Sequence, residues 1–183
     1  MSRKPPHPTG EVRTFRPDEL IVSKTDPHGR ITYANDTFLR VSAYREQDVI
    51  GQPHNLIRHP ETPRGLFHLL WERITAGREV FAYVNNLAAD GASYWVLAHV
   101  TPSRNAAGAI VGYHSNRRAP DPGAVARVGG LYEQMRAAER GEVNRRAAAE
   151  ASRAVLDEHL TAQGVTYDQF VWDIISNHGK GAA

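Results

Sequence analysis

The sequence predicts an α+β domain, a single antiparallel sheet with short helices packed on one face, followed by a helical extension. Three observations carry this. Two short β-rich runs flank a glycine turn between residues 20 and 35. A stretch of short helical segments and loops comes next. Three β-branched or alternating runs, separated by hairpin turn signals, then close the set and bring the strand total to five.

The elements follow in order. Met1 to about Arg16 is rich in proline and charge and has no periodicity, so residues 1–17 read as a flexible or capping tail. LIVSKTD and ITYAN are short strands around DPHGR, where Pro27 presets one dihedral and Gly29 is free to take positive φ. In DTFLRVSAY, Phe38, Leu39 and Val41 suit a short helix capped by Asp36. Glu46 to Val49 forms a helical turn ended by Gly51 and Pro53. TPRGLFHLLWERITAG is the clearest helix of this region. Thr62 is placed to cap it, Pro63 suits its first position, and Leu66, Leu69, Leu70 and Ile74 make its apolar face before Gly77. VFAYVNNLA, SYWVLAHVTPS and AIVGYHSNRR are strands joined through Asp90-Gly91 and Ala107-Gly108.

Beyond Pro122 the composition turns to Ala, Glu and Arg, which favours helix. Gly129–Gly130 and Gly141 are the expected breaks. Leu131, Tyr132, Met135 and Ala138 form one apolar stripe, and Val155, Leu156 and Leu160 another. After Gly164, Thr166 and Gln169 have capping-box spacing ahead of FVWDII.

Composition narrows the function. The chain of 183 residues carries 22 basic and 20 acidic side chains, a near balance that gives no reason to expect a nucleic-acid partner. It has no cysteine, which removes disulfides, thiolate metal sites and thiol nucleophiles. No apolar run approaches the ~18 residues of a membrane span, and the N-terminus has no signal-like apolar core, so a cytoplasmic protein is expected. No nucleophile–base pair is visible, and an enzyme is not expected. His54 and His59 lie five apart in a proline-rich loop, a spacing that does not favour a metal site. His59, His99 or His114 could each serve haem as an axial ligand. His54 and His68 read as ordinary loop residues.

The segments ITYANDTF, GQPHNLIRHPETP, LLWERITAGR, NLAADGASYWVLAHVTP and GYHSNRR resemble the PAS sensor domain of bacterial aerotaxis receptors. They stand in the family's order between about Asp18 and Arg118, and IRHPETP together with ADGASYW is the most specific combination. The resemblance implies a PAS fold over residues 18–120, a five-stranded antiparallel sheet cupped by short helices, with residues 121–183 as a helical C-terminal extension. It also implies FAD held noncovalently in the cup, with oxygen or cellular redox state read through flavin oxidation.

The positions that the resemblance assigns to the flavin are Asn35, Arg58, His59, Phe67, Trp71, Asn86 and Trp95. Their chemistry suits the task. Trp71 and Trp95 can wall in a flat ring. Asn35 and Asn86 offer a donor and an acceptor each. Arg58 presents a fork of donors to a pyrophosphate, and His59 titrates near neutrality. Two positions depart from the family: Glu61 where an Asp is common, and Asn85 where a Lys is.

The function this implies is a soluble sensor whose flanking helices signal to a downstream protein such as a chemoreceptor or kinase, in a homodimer. The stripe Leu131–Met135 or the stripe Leu156–Leu160 is the expected docking surface. A haem-binding gas sensor and a ligand-free dimerisation module of the same fold stay open. A light-driven flavin–cysteine adduct does not, because there is no cysteine.

Overall fold

A computed structural model describes residues 6–178. The five strands are β1 (Ile21–Thr25), β2 (Ile31–Ala34), β3 (Val80–Leu87), β4 (Ser93–Arg104) and β5 (Ile110–Arg118). They form one sheet in the order β2-β1-β5-β4-β3, with every pair antiparallel. Between β2 and β3 lie α1 (Asp36–Ser42), α2 (Glu46–Val49), a 3-10 turn at His54–Ile57 and α3 (Arg64–Thr75). Three helices follow the sheet: α4 (Pro122–Glu139), α5 (Arg145–Gln163) and α6 (Tyr167–His178).

Strand register sorts the side chains into two faces. Ser23 stands opposite Ser115, Ala98 opposite Arg117, Val84 opposite Val96 and Asn86 opposite Tyr94. Because side chains alternate along a strand, these residues share the inner face, toward α3. Phe81, Tyr83, Trp95 and His99 share the other face. The sequence predicts helices on one face, and for α1 to α3 this holds. The C-terminal helices instead wrap the β3 edge and reach the outer face. Tyr132 of α4 stacks near Trp95, with ring centroids 6.0 Å apart, and Trp172 of α6 lies 5.1 Å from Phe81.

This wrapping solves the problem of the free edge. Unpaired strand carbonyls invite pairing with another chain. On β3 the carbonyls of Phe81, Tyr83 and Asn85 accept hydrogen bonds from the hydroxyls of Tyr167 (2.9 Å), Tyr132 (2.6 Å) and Thr62 (2.7 Å). Three side chains from α6, α4 and the loop before α3 therefore close the edge.

Several local expectations are corrected. The cap of α1 is Asn35, not Asp36. Asn35 keeps extended dihedrals (φ −82°, ψ 169°), as a cap must, and its Oδ1 accepts from Phe38 N. Thr62 does not cap α3. Pro63 occupies the cap position, and the Thr62 hydroxyl is spent on β3. Gly129–Gly130 do not break α4, which runs through them. Each glycine costs about 1 kcal/mol relative to alanine, and the buried Val128, Leu131, Tyr132 and Met135 outweigh that. Gly141, at φ 93°, does lie in the break before α5. Thr166 and Gln169 make the reciprocal bonds of a capping box at the start of α6. Both candidate docking stripes are used internally: Leu131, Met135, Leu156 and Leu160 are all buried within the chain.

The extension is keyed to α3 at several points. Gly65 approaches α5 so closely that its N–H donates to Ser152 Oγ at 3.2 Å, and no side chain would fit between them. Arg153 of α5 reaches Glu72 of α3 at 2.9 Å, and Arg73 of α3 pairs with Asp168 of α6 at 2.5 Å.

Candidate functional site

Between the inner sheet face and α3 lies a cavity of about 480 Å³, within the range of about 300–1,000 Å³ usual for small-molecule sites. Its floor is Val84, Asn86, Ala98, Val100, Ser115 and Arg117. α3 forms the roof with Phe67, Leu70, Trp71 and Ile74, and the turn at His54–Ile57 forms a side wall. The mouth is completed from the extension, by Arg145 and Ala149 of α5.

Four of the seven sequence-assigned positions come together here: Arg58, Phe67, Trp71 and Asn86 all line the cavity. The Trp71 ring meets Tyr113 edge-on, with centroids 5.7 Å apart at 88°. Gly29, at φ 77°, lets the turn pass so close to the Trp71 ring that a Cβ would stand 2.9 Å from it. Arg58 sits over Phe67, 4.3 Å from the ring centroid, and donates to the Thr62 carbonyl at 3.3 Å.

The other three stand elsewhere. Asn35 uses its amide in backbone bonds, accepting from Val22 N and Phe38 N and donating to Leu20 O, all within 3.0 Å. Buried His59 uses Nδ1 to accept from Glu61 N at 3.1 Å, shaping the loop. Trp95 projects from the outer face against Tyr132. His99 and His114 also belong to the outer face. His99 stacks on Phe81 and bonds Glu79, and His114 bonds Asn116.

The cavity also gathers residues that sequence reasoning passed over. His54 is one. Its Nε2 accepts from Arg117 Nη2 at 2.6 Å and lies 3.1 Å from Ser23 Oγ. Since arginine only donates, this nitrogen is an acceptor and the ring is neutral. Burial and the Arg117 charge push the His54 pKa down to about 3. At the mouth, Arg64 and Arg145 join Arg58. Burial and these two like charges push the Arg58 pKa down to about 10. Glu139, 3.6 Å from Arg64 Nε, offsets part of this charge, and the remaining positive balance favours an anionic group there.

The strongest chemical signal is on the floor. Asn86 Nδ2, Ser115 Oγ and Arg117 Nη1 are buried and have no hydrogen-bond partner among the described residues. Buried polar groups are ordinarily satisfied, so these three atoms leave hydrogen-bonding capacity on the floor that an acceptor-bearing group would use. A flavin ring fits that requirement. Its carbonyls and ring nitrogens accept hydrogen bonds along one edge, and its faces suit the apolar and aromatic walls.

The comparisons with known proteins agree with the fold. The family model described as "PAS fold" matches residues 21–115. Among curated proteins, the Aerotaxis receptor of Escherichia coli is 36% identical over 132 residues, covering 72% of this chain and 26% of that protein. The Nitrogen fixation regulatory protein of Klebsiella pneumoniae is 30% identical over 99 residues, covering 54% of this chain and 20% of that protein. The chain thus spans about a fifth to a quarter of the length of these relatives. Among solved structures, the light state of the blue-light photoreceptor Aureochrome1 LOV is 25% identical with a TM-score of 0.52, over 62% of this chain and 88% of that one. A Light-Oxygen-Voltage domain studied with a flavin analogue shares the fold at a TM-score of 0.54 and 20% identity, over 63% of this chain and 86% of that one.

Proposed function

The chain belongs to the PAS family, and on that premise we propose that it is a signalling sensor holding FAD noncovalently between the sheet and α3. The observation that carries this reading is the set of unpartnered buried donors, Asn86 Nδ2, Ser115 Oγ and Arg117 Nη1, on the floor of an otherwise apolar cavity. The likeness to an aerotaxis receptor and to a flavin-studied fold supports it.

When bound, FAD supplies reversible two-electron redox chemistry. Trp71, Leu70 and Ile74 from α3 and Val84, Ala98 and Val100 from the sheet would supply the apolar walls that keep water from the ring. Asn86 and Ser115 donate to the ring edge. Arg58, Arg64 and Arg145 would hold the pyrophosphate, with Phe67 packed 4.3 Å from the Arg58 guanidinium.

The signal is oxygen or cellular redox state, read through the ligand's oxidation. A ligand shifts an equilibrium only by interacting differently with two states, and α5 is the element placed to respond. It contributes Arg145 and Ala149 to the cavity and rests on α3 through Ser152 and Arg153. In this reading residues 18–120 are the sensor and residues 121–183 the output extension. They signal as a cytoplasmic homodimer to a downstream protein, with no membrane or nucleic-acid contact. Among the described residues no helix is long and apolar enough to cross a membrane.

Calorimetric titration of the apo-protein with FAD tests the reading. Arg58→Ala and Trp71→Ala should each weaken binding at least tenfold, a loss of about 1.4 kcal/mol. Variants that bind FAD as tightly as the parent protein would remove these residues from the site.

A further inference from the structure

We propose that Arg117 is the charge-compensating residue of the cavity: its buried guanidinium faces the ligand and favours the ligand form that carries one more negative charge. This rests on the FAD reading above and deepens it.

Arg117 lies on the inner face of β5, 3% exposed, opposite Ala98 on one side and Ile21 on the other. Its Nη2 donates to Ser23 Oγ at 2.9 Å and to His54 Nε2 at 2.6 Å. Its Nη1 has no hydrogen-bond partner among the described residues, and the residue lines the cavity. Both partners are neutral. No carboxylate contributes to its electrostatic surroundings, where the nearby Tyr94 phenol is the one raising influence. Burial pushes its pKa down to about 10, which still leaves it charged near neutrality.

A buried cation without a counter-ion is costly to an empty fold. Ordinary core residues do not need it: alanine, valine and isoleucine occupy neighbouring inner-face positions. What repays the cost is a partner that arrives with the ligand. The neighbouring orphans, Asn86 Nδ2 and Ser115 Oγ, point to the same partner, because together with Arg117 they present donors and no charged acceptor. His54 strengthens the case. It is held neutral, so the cluster carries one positive charge, and its Nε2 fixes the guanidinium in place.

A flavin ring supplies that charge on reduction. With dithionite as the reductant, a bound flavin would gain two electrons and one proton from solvent. The reduced ring then carries one negative charge. No bond forms to the protein, and Arg117 keeps its own proton. The cation therefore binds the reduced form better than the oxidised form, and the ratio of the two affinities sets the reduction potential.

The test measures the dissociation constants of oxidised and dithionite-reduced FAD separately, for the parent protein, Arg117→Gln and Arg117→Lys. Arg117→Gln keeps donors and loses the charge; it should lower the reduced-over-oxidised affinity ratio at least tenfold, a fall of about 30 mV for a two-electron couple. Arg117→Lys should retain most of the ratio. The apo form of Arg117→Gln should also melt above the parent apo-protein. An unchanged ratio in Arg117→Gln overturns the proposal, whether or not both affinities fall together. A parent protein that takes up neither form of FAD fails at the earlier step, and the flavin reading falls with it. Should Arg117→Gln not fold, Arg117→Met provides the same charge removal in an apolar shape and is read by the same ratio.

Discussion

Replacing Gly65 by alanine sets two effects of opposite sign against each other, and the structure says which wins. Alanine is the better helix former by at most about 1 kcal/mol, and Gly65 is the second residue of α3, without a positive φ. On helix propensity alone the change is neutral or stabilising. The new Cβ, however, would stand 2.5 Å from Arg153 N, 2.7 Å from Ser152 C and 2.8 Å from Ser152 Oγ. Carbon atoms pack at about 3.5–4.0 Å. Two of these three neighbours are backbone atoms of a helix and cannot rotate away. α5 must therefore lift from α3 by about 1 Å. That stretches the bond from Gly65 N to Ser152 Oγ beyond its 3.2 Å, a loss of about 1 kcal/mol. Overpacking adds about 1–3 kcal/mol. The net expectation is a destabilisation of about 1–3 kcal/mol, read as a lower urea midpoint at unchanged slope. FAD binding should weaken with it, because α5 carries Arg145 and Ala149 to the mouth. A Gly65→Ala protein as stable as the parent or more so would refute the close docking of α5 on α3.

Acid should destabilise the fold through His54. Its folded pKa is pushed down to about 3 from an ordinary 6.5, so between those values the unfolded chain binds the extra proton and stability falls as pH falls, by at most about 1.4 kcal/mol per unit. Buried His59 is shifted the same way, so His54→Gln should flatten the pH 7 to 5 melting profile in part; an unaltered slope would contradict a neutral His54. Tyr132→Phe removes the 2.6 Å donor to the Tyr83 carbonyl and should cost about 1–3 kcal/mol in thermal unfolding; a neutral result would mean that the β3 edge is held by packing alone. Asn35→Ala removes the α1 cap and should lower stability by about 1–2 kcal/mol while leaving FAD affinity unchanged, and a selective loss of FAD affinity would place Asn35 at the ligand after all.

The strands were legible because each is short, apolar or alternating, and bounded by turns whose glycines take positive φ, as Gly29, Gly91 and Gly108 do. Gly129–Gly130 misled because propensity is local, while the packing of Leu131 and Met135 that overrides it is not. Trp95 was placed at the ligand by likeness of motif. Its face is decided by register with β3 and β5, and the odd positions of β4 point outward.

Arg117 and Ser115 were missed for the converse reason. Nothing local marks YHSNRR as having one face in a cavity, although a period of two groups Tyr113, Ser115 and Arg117 together. Arg64 and Arg145 did leave a signal. Both stand at the first position of a helix whose first turn has no acidic residue. Basic charge at that end opposes the helix dipole; at α3 the compensation comes from outside the helix, where Glu139 accepts from Arg64 N at 2.6 Å, and such a break in a local rule marks a position worth examining.

The central claim is that the cavity takes a flavin, and an absorption spectrum of the untagged protein, with mass analysis of whatever denaturation releases, tests it most directly. The account predicts a yellow protein with flavin bands and FAD in the released fraction, or a colourless one that takes up FAD on reconstitution and turns yellow. A Soret band, or a protein that stays colourless after incubation with excess FAD, would contradict it.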